Sequence, residues 1–197
     1  AGKILAWGTS TFPAEQIVLA HWAAERRGQV GPHTEQPPYS ILSRGIERDV
    51  LPITERFGMG VVVWSPLSGG WLTGKYSRSS PPPAGSRAAT DPEHFDGGNE
   101  AKFDAVEQLS AIAAEAGVSL THMAIAWCVE HPAVTTALIG PKTEQQLDDL
   151  LGAAELRLDA DTLDAIDTVV APGIDINPAD AGWTSPGLSA SRRRRPR

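Results

Sequence analysis

Three groups of residues stand out as capable of chemistry by type and spacing. The first is the run Val61 to Trp71. Val61 to Trp64 read as a strand buried on both faces, and Ser65 and Pro66 stop it. The small stretch Ser65-Pro66-Leu67-Ser68-Gly69-Gly70 follows, and a loop of such residues lets backbone N–H groups come close to an anion. The second group is a set of short polar ends to other apolar runs: Ser10 and Thr11 after Gly8, Gln36, and Gly140 to Lys142. The third is the single cysteine, Cys128. It lies among Ala126, Trp127 and Val129, so it reads as a core residue and not as a nucleophile. On residue pattern alone the remaining candidates have ordinary readings: Trp64 a core aromatic, Lys142 a solvated charge, Thr143 with Gln146 a capping box.

The elements that must carry these groups alternate. The apolar run Ile4 to Trp7 reads as a strand ended by Gly8. A helix follows from about Pro13 to Arg27, with Ser10 or Thr11 as its cap and Gly28 closing it. Glu35 to Ser40 reads as a strand end entering a loop. Ile46 to Phe57 reads as a helix that Pro52 either kinks or restarts. After the Val61–Trp64 strand, residues 77–99 form a long excursion rich in Pro, Gly and Ser. Phe103, Val106, Leu109 and Ile112 mark a helix ended near Gly117, and Ser119 to His131 mark a second, stopped by Pro132. Ala137 to Ile139 is a short strand, Thr143 opens another helix, and Leu163, Ile166 and Val170 line a last one. Alternating units with apolar strands predict an α/β fold with a parallel sheet and helices outside it. Gly8-Thr9-Ser10-Thr11 is not the glycine fingerprint of a dinucleotide-binding doubly wound sheet.

A chain of 197 residues, 41% of them hydrophobic, can bury a core of its own. A formal charge of −7 argues against a nucleic-acid partner, and the four-arginine end reads as a disordered tail. No stretch approaches the roughly 20 apolar residues of a membrane span. One cysteine fits a reducing compartment, so a cytoplasmic location is expected.

The segments GKILAWGTSTF, EQPPYS, GVVVWSPLSGGWLTGKY, AIAWC and IGPKTEQQLDDLLGA resemble, in order and rough spacing, the aldo-keto reductases. The similarity is to the branch of bacterial reductases and potassium-channel β-subunits. The resemblance implies a (β/α)8 barrel binding NADPH across the C-terminal mouth of its strands, with this chain supplying an incomplete barrel of strands 5 to 8. It implies that residues 1–172 are the C-terminal, cofactor-binding part. After Pro172 the chain turns polar and loses its pattern, so 173–197 read as a disordered tail. Carried over residue by residue, Ser10 and Gln36 match positions at the nicotinamide carboxamide, and Thr11 stands where the family usually has Asn or Arg. Trp64 matches the ring-stacking aromatic, and Ser65, Pro66, Leu67, Ser68, Gly69 and Gly70 match the loop along the pyrophosphate. Lys75 and Arg87 match basic residues near the phosphates. Gly140, Lys142, Gln146 and Asp149 match the adenosine side, where Leu150 replaces a family Asn.

The family's chemistry is hydride transfer to a small carbonyl substrate, with a tyrosine as acid, tuned by a lysine paired to an aspartate and helped by a histidine. A developing alkoxide needs a donor whose pKa is drawn down toward working pH. Neither tyrosine (Tyr39, Tyr76) and none of the five histidines stands in the matching context, and the Tyr39 hydroxyl is given no role. No catalytic or metal-ligating residue is therefore assigned. The chain, which starts at Ala1, is expected to be an incomplete reading frame of an NADP-dependent oxidoreductase, inactive alone, with open sheet edges that favour a homo-oligomer. The alternative expectation is a non-catalytic subunit that senses a nicotinamide nucleotide.

Overall fold

A computed structural model describes residues 2–92, 95 and 99–193. Arg194 and Arg195 of the arginine run, and part of the excursion over 77–99, lie outside the described residues. Among the described residues, four strands form one parallel sheet: β1 (Gly8–Ser10), β2 (Thr34–Gln36), β3 (Gly60–Val63) and β4 (Thr136–Ala137), in the order β1-β2-β3-β4. The register sets Thr9 beside Glu35 and Glu35 beside Val61. The helices are α1 (Ala14–Glu25), α2 (Val50–Arg56), α3 (Arg87–Thr90), α4 (Glu100–Glu115), α5 (Leu120–Glu130), α6 (Glu144–Leu151), α7 (Ala160–Val169) and α8 (Ala190–Arg193). The expected α/β fold with a parallel sheet is what forms.

One face of the sheet is covered and the other is open. Val61 and Val63 are fully buried in a core with Leu51, Leu72, Leu109, Met123 and Ile166, contributed by α2, the loop after β3, α4, α5 and α7. Residues of the opposite parity, Gly8, Ser10, Thr34 and Gln36, are exposed, and Val62 and Trp64 are only half-buried. The strand from Val61 is thus not buried on both faces, because helices pack against one side of it alone.

Several boundaries move for local reasons. Strand pairing starts at Gly8, where the Ile4–Trp7 run was expected to end, and Ile4 and Leu5 lie exposed. The last strand is Thr136–Ala137, not Ala137–Ile139, although Leu138 N–H still donates to Val63 O at 2.8 Å. Neither Ser10 nor Thr11 caps α1. The Ser10 hydroxyl donates to Gln36 O at 2.9 Å, and Pro13 occupies the cap position without a side-chain bond. Ile46–Phe57 breaks at Asp49 into a short 3-10 turn and α2, and Pro52 falls in the first turn of α2, where its missing N–H forfeits no helical bond. The local signals around α5 act as read: Ser119 accepts from His122 N–H and the helix ends at Glu130, before Pro132. Cys128 is fully buried, and burial pushes its thiol well above the ordinary range.

Beneath the strand ends lies a buried polar node. Arg44 bonds Glu47 at 2.9 Å, Asp167 at 2.6 Å and Val170 O at 2.6 Å. Glu47 also accepts from the Tyr39 hydroxyl at 2.7 Å and from Gly173 N–H at 2.8 Å. The Tyr39 hydroxyl therefore has a partner, which its sequence context did not show. Past Pro172, Asp175 accepts from Ser43 Oγ at 2.9 Å and Gly45 N–H at 2.8 Å, and Ile176 N–H donates to Leu42 O at 3.0 Å. Residues 173–176 are thereby tied to the loop after β2.

Candidate functional site

The C-terminal ends of the strands hold every described non-glycine residue with a positive φ: Thr11 after β1, and Ser65 and Ser68 after β3. Such backbone costs on the order of 1 kcal/mol per residue and clusters where a site needs it. Gly69 and Gly70 continue the left-handed run at φ 67° and 97°. A Cβ on Gly70 would lie 2.8 Å from the Lys75 ammonium and 3.1 Å from the Tyr76 hydroxyl, so only glycine lets these groups close on the loop. A loop of alternating hands with a lysine against it has the character of an anion cradle.

Three cations gather around that loop. The Arg87 stem packs near Gly69, with its Cδ 3.7 Å from where a Cβ would stand. Lys142 Nζ donates to Gly85 O at 3.0 Å, which brings the start of α6 to the segment carrying Arg87. Burial first, then the nearby Lys142 charge, lowers the Lys75 ammonium from its ordinary value. An anion between these groups would relieve that repulsion.

Trp64, Ser65, Ser68, Gly69 and Arg87 line a cavity of about 450 Å³, a size suited to a small-molecule ligand. Its other walls include Tyr39, Ser40, Ser43, Trp71, Asp91, Lys102 and Asp180. Trp71 stacks on Phe95 and meets Tyr76 and Phe103 edge-on, which gives that wall a rigid aromatic backing. Pro66 and Leu67 belong to the same loop but do not line the cavity.

The other candidates stand around the cavity or apart from it. Ser10 and Gln36 sit side by side in register on the open face, and Thr11 N–H donates to Gln36 O at 3.2 Å. The β1 loop is held from behind by Glu35, which is fully buried and accepts from Phe12 N–H at 3.0 Å and from the Thr9 hydroxyl. Burial raises the Glu35 carboxyl above the ordinary range, against the lowering effect of those bonds. Gly140, Lys142, Gln146 and Asp149 are exposed outside the cavity. Thr143 caps α6, its Oγ1 accepting the Gln146 N–H at 3.2 Å, while Gln146 Oε1 accepts from Lys142 N–H at 2.8 Å, one residue before the cap. Asp149 pairs with His122 at 3.2 Å.

Neither tyrosine is set up as an acid. Burial, then the Glu47 carboxylate, pushes Tyr39 far above its ordinary value, opposite to the shift a proton donor needs. The Tyr76 hydroxyl donates to Gly69 O at 3.1 Å. Sequence reasoning missed Glu35, Lys102 and Asp180. Each reads as an ordinary charge because its partners lie on other elements.

Among the described residues, a parallel α/β sheet ends its third strand in a loop suited to an anion. The chain belongs to the aldo/keto reductase family, whose profile matches residues 1–171. A probable voltage-gated potassium channel subunit beta of rice (Oryza sativa subsp. japonica) is 38% identical over 176 residues, covering 86% of this chain and 53% of the rice protein. An uncharacterized oxidoreductase of Bacillus subtilis is 36% identical over 184 residues, covering 93% of this chain and 52% of its own. The solved glycerol dehydrogenase of Gluconobacter oxydans superposes with a TM-score of 0.70 at 28% identity, covering 93% of this chain and 54% of that one. The chain spans about half the length of the relatives it matches.

Proposed function

We propose that this chain is the cofactor-binding, C-terminal portion of an NADP(H)-dependent aldo-keto reductase, supplying strands 5 to 8 of an incomplete (β/α)8 barrel and dividing near Pro172 into barrel part and tail. The observation that carries the reading is the loop Ser65–Gly70, left-handed at Ser65, Ser68, Gly69 and Gly70, with Lys75, Arg87 and Lys142 around it, beside Trp64. These residues fit a dinucleotide. Backbone and cations of that loop would hold the phosphates, and Trp64 with Ser10, Thr11 and Gln36 would hold the nicotinamide end. Gly140, Lys142, Gln146 and Asp149 would hold the adenosine end. The bound cofactor supplies a hydride, and this chain supplies its position and counter-charge. The substrate is a small aldehyde or ketone reduced to an alcohol by the complete barrel, in the cytoplasm.

A second reading, a subunit that senses the nucleotide without turning over a carbonyl, is favoured by the channel-subunit relatives. Upstream Asp, Tyr, Lys and His at family spacing would separate the two in favour of the enzyme.

The test is a comparison of NADPH with NADH. Arg87 and Lys142 would meet the 2′-phosphate, and charge-assisted contacts of this kind are worth roughly 1.5–3 kcal/mol each. Titration should show tighter NADPH binding, and Arg87→Ala with Lys142→Ala should remove most of the difference. Equal affinity for the two nucleotides in the unmutated protein refutes the assignment.

A further inference from the structure

A lysine is almost never fully buried unless it is paired. Lys102, in the first turn of α4, is 2% exposed, and it stands on the cavity wall with Ser65, Ser68 and Arg87. Its ammonium lies 5.5 Å from the centre of the Trp71 ring and 2.7 Å from Asp180 Oδ2. That pairing is incomplete. The two atoms are close, but Asp180 Oδ2 is buried without accepting a hydrogen bond, so the approach is off the line such a bond needs. The two sides are also unequal. The Lys102 side chain is 3% exposed and that of Asp180 29%, so Asp180 can turn to water far more cheaply than Lys102 can go without an anion.

We infer that Lys102 is a further anion-binding residue of this cavity, directed at the diphosphate of a dinucleotide, and that Asp180 is an internal carboxylate competing for the same ammonium. The inference rests on the dinucleotide reading above. A diphosphate diester carries two charges and several acceptor oxygens, and an ammonium offers three donors in no fixed plane. One misaligned carboxylate uses little of that capacity. Asp180 sits on the turn Pro178–Ala181, so exchanging it for a phosphate oxygen frees that turn from the cavity wall. Asp91 lines the cavity as well but is already engaged. The plain alternative is a clasp that merely fastens the C-terminal segment to α4.

The two readings predict opposite signs. Inorganic pyrophosphate and NADPH are titrated separately into the full chain, followed by calorimetry, with circular dichroism to confirm folding. Under competition, Asp180→Asn tightens both ligands by roughly threefold or more, and Lys102→Met weakens both by about tenfold or more, while Lys102→Arg retains most of the affinity. A clasp makes Asp180→Asn and Lys102→Met shift affinity in the same direction, or leave it unchanged, and either result overturns the inference. Should Lys102→Met fail to fold, Lys102→Gln takes its place. Tightening by Asp180→Asn counts for the exchange only together with weakening at Lys102, because losing a carboxylate beside an anion favours the anion by charge alone. Pyrophosphate binding with opposite signs but no NADPH binding would sink the dinucleotide reading and leave the anion site standing. If the unmutated chain binds neither, both fall.

Discussion

Glu35 shows at the scale of a single residue how a buried acid serves a site it does not enter. It is the central residue of β2, its buried side chain accepts from the Thr9 hydroxyl and the Phe12 N–H, and so it fixes the loop that presents Ser10 and Thr11. Because burial raises its pKa, the folded chain holds this proton to higher pH than the unfolded chain does. Its contribution to stability is complete below the ordinary carboxylate pKa and is lost as pH rises through the raised value. Urea midpoints measured from about pH 4 to about pH 7 should therefore fall with pH more steeply in the unmutated chain than in Glu35→Gln. Parallel profiles would show that Glu35 titrates alike in both states. Tyr39 makes a simpler case. Tyr39→Phe removes the bond to Glu47 but leaves that oxygen with Arg44, so the loss should be about 1 kcal/mol, read as a lower urea midpoint with an unchanged slope.

Among the elements, the loop after β3 couples backbone shape to charge. Gly70 has φ 97°, and its missing Cβ is the space into which Lys75 folds. Gly74 has φ 70°, but a Cβ there would meet only Leu120, at 3.9 Å. Alanine at either position should lower stability by about 1 kcal/mol or more, because both are left-handed. Only Gly70→Ala should also weaken NADPH binding, since it displaces the ammonium. Matching affinity losses in both variants would mean that Lys75 has no part in the site.

At the scale of the molecule, β1 and β4 end the sheet among the described residues, and one sheet face is open there. Ile4, Leu5 and Trp7 before β1, and Leu19 and Trp22 on α1, are exposed apolar side chains on the β1 flank. Unpaired edges beside apolar surface favour association, so the purified chain should elute as oligomer or aggregate in gel filtration. It should also fail to oxidise NADPH with a panel of aldehydes. Tyr39 and Tyr76 are both engaged in hydrogen bonds, and general acid catalysis typically contributes ~10²–10⁴-fold. Turnover equal to that of a chain extended by upstream barrel sequence would make one of these tyrosines the acid after all.

Short-range rules were legible in the residues themselves. Ser119 and Pro132 bound α5, Gly28 takes the left-handed conformation after α1, and Gly69 and Gly70 announce a loop built for close approach. Each depends on neighbours a few positions away, so the order of residues was enough to determine it. What depended on distant partners was not legible. An apolar run does not state which side will be covered, so Val62 and Trp64 stay half-buried while Val61 and Val63 enter the core. Likewise, a lone Lys or Asp in a sequence looks like a solvated charge. Only the meeting of α4 with the C-terminal turn makes Lys102 and Asp180 a pair, because burial and Coulomb energy depend on distance in space.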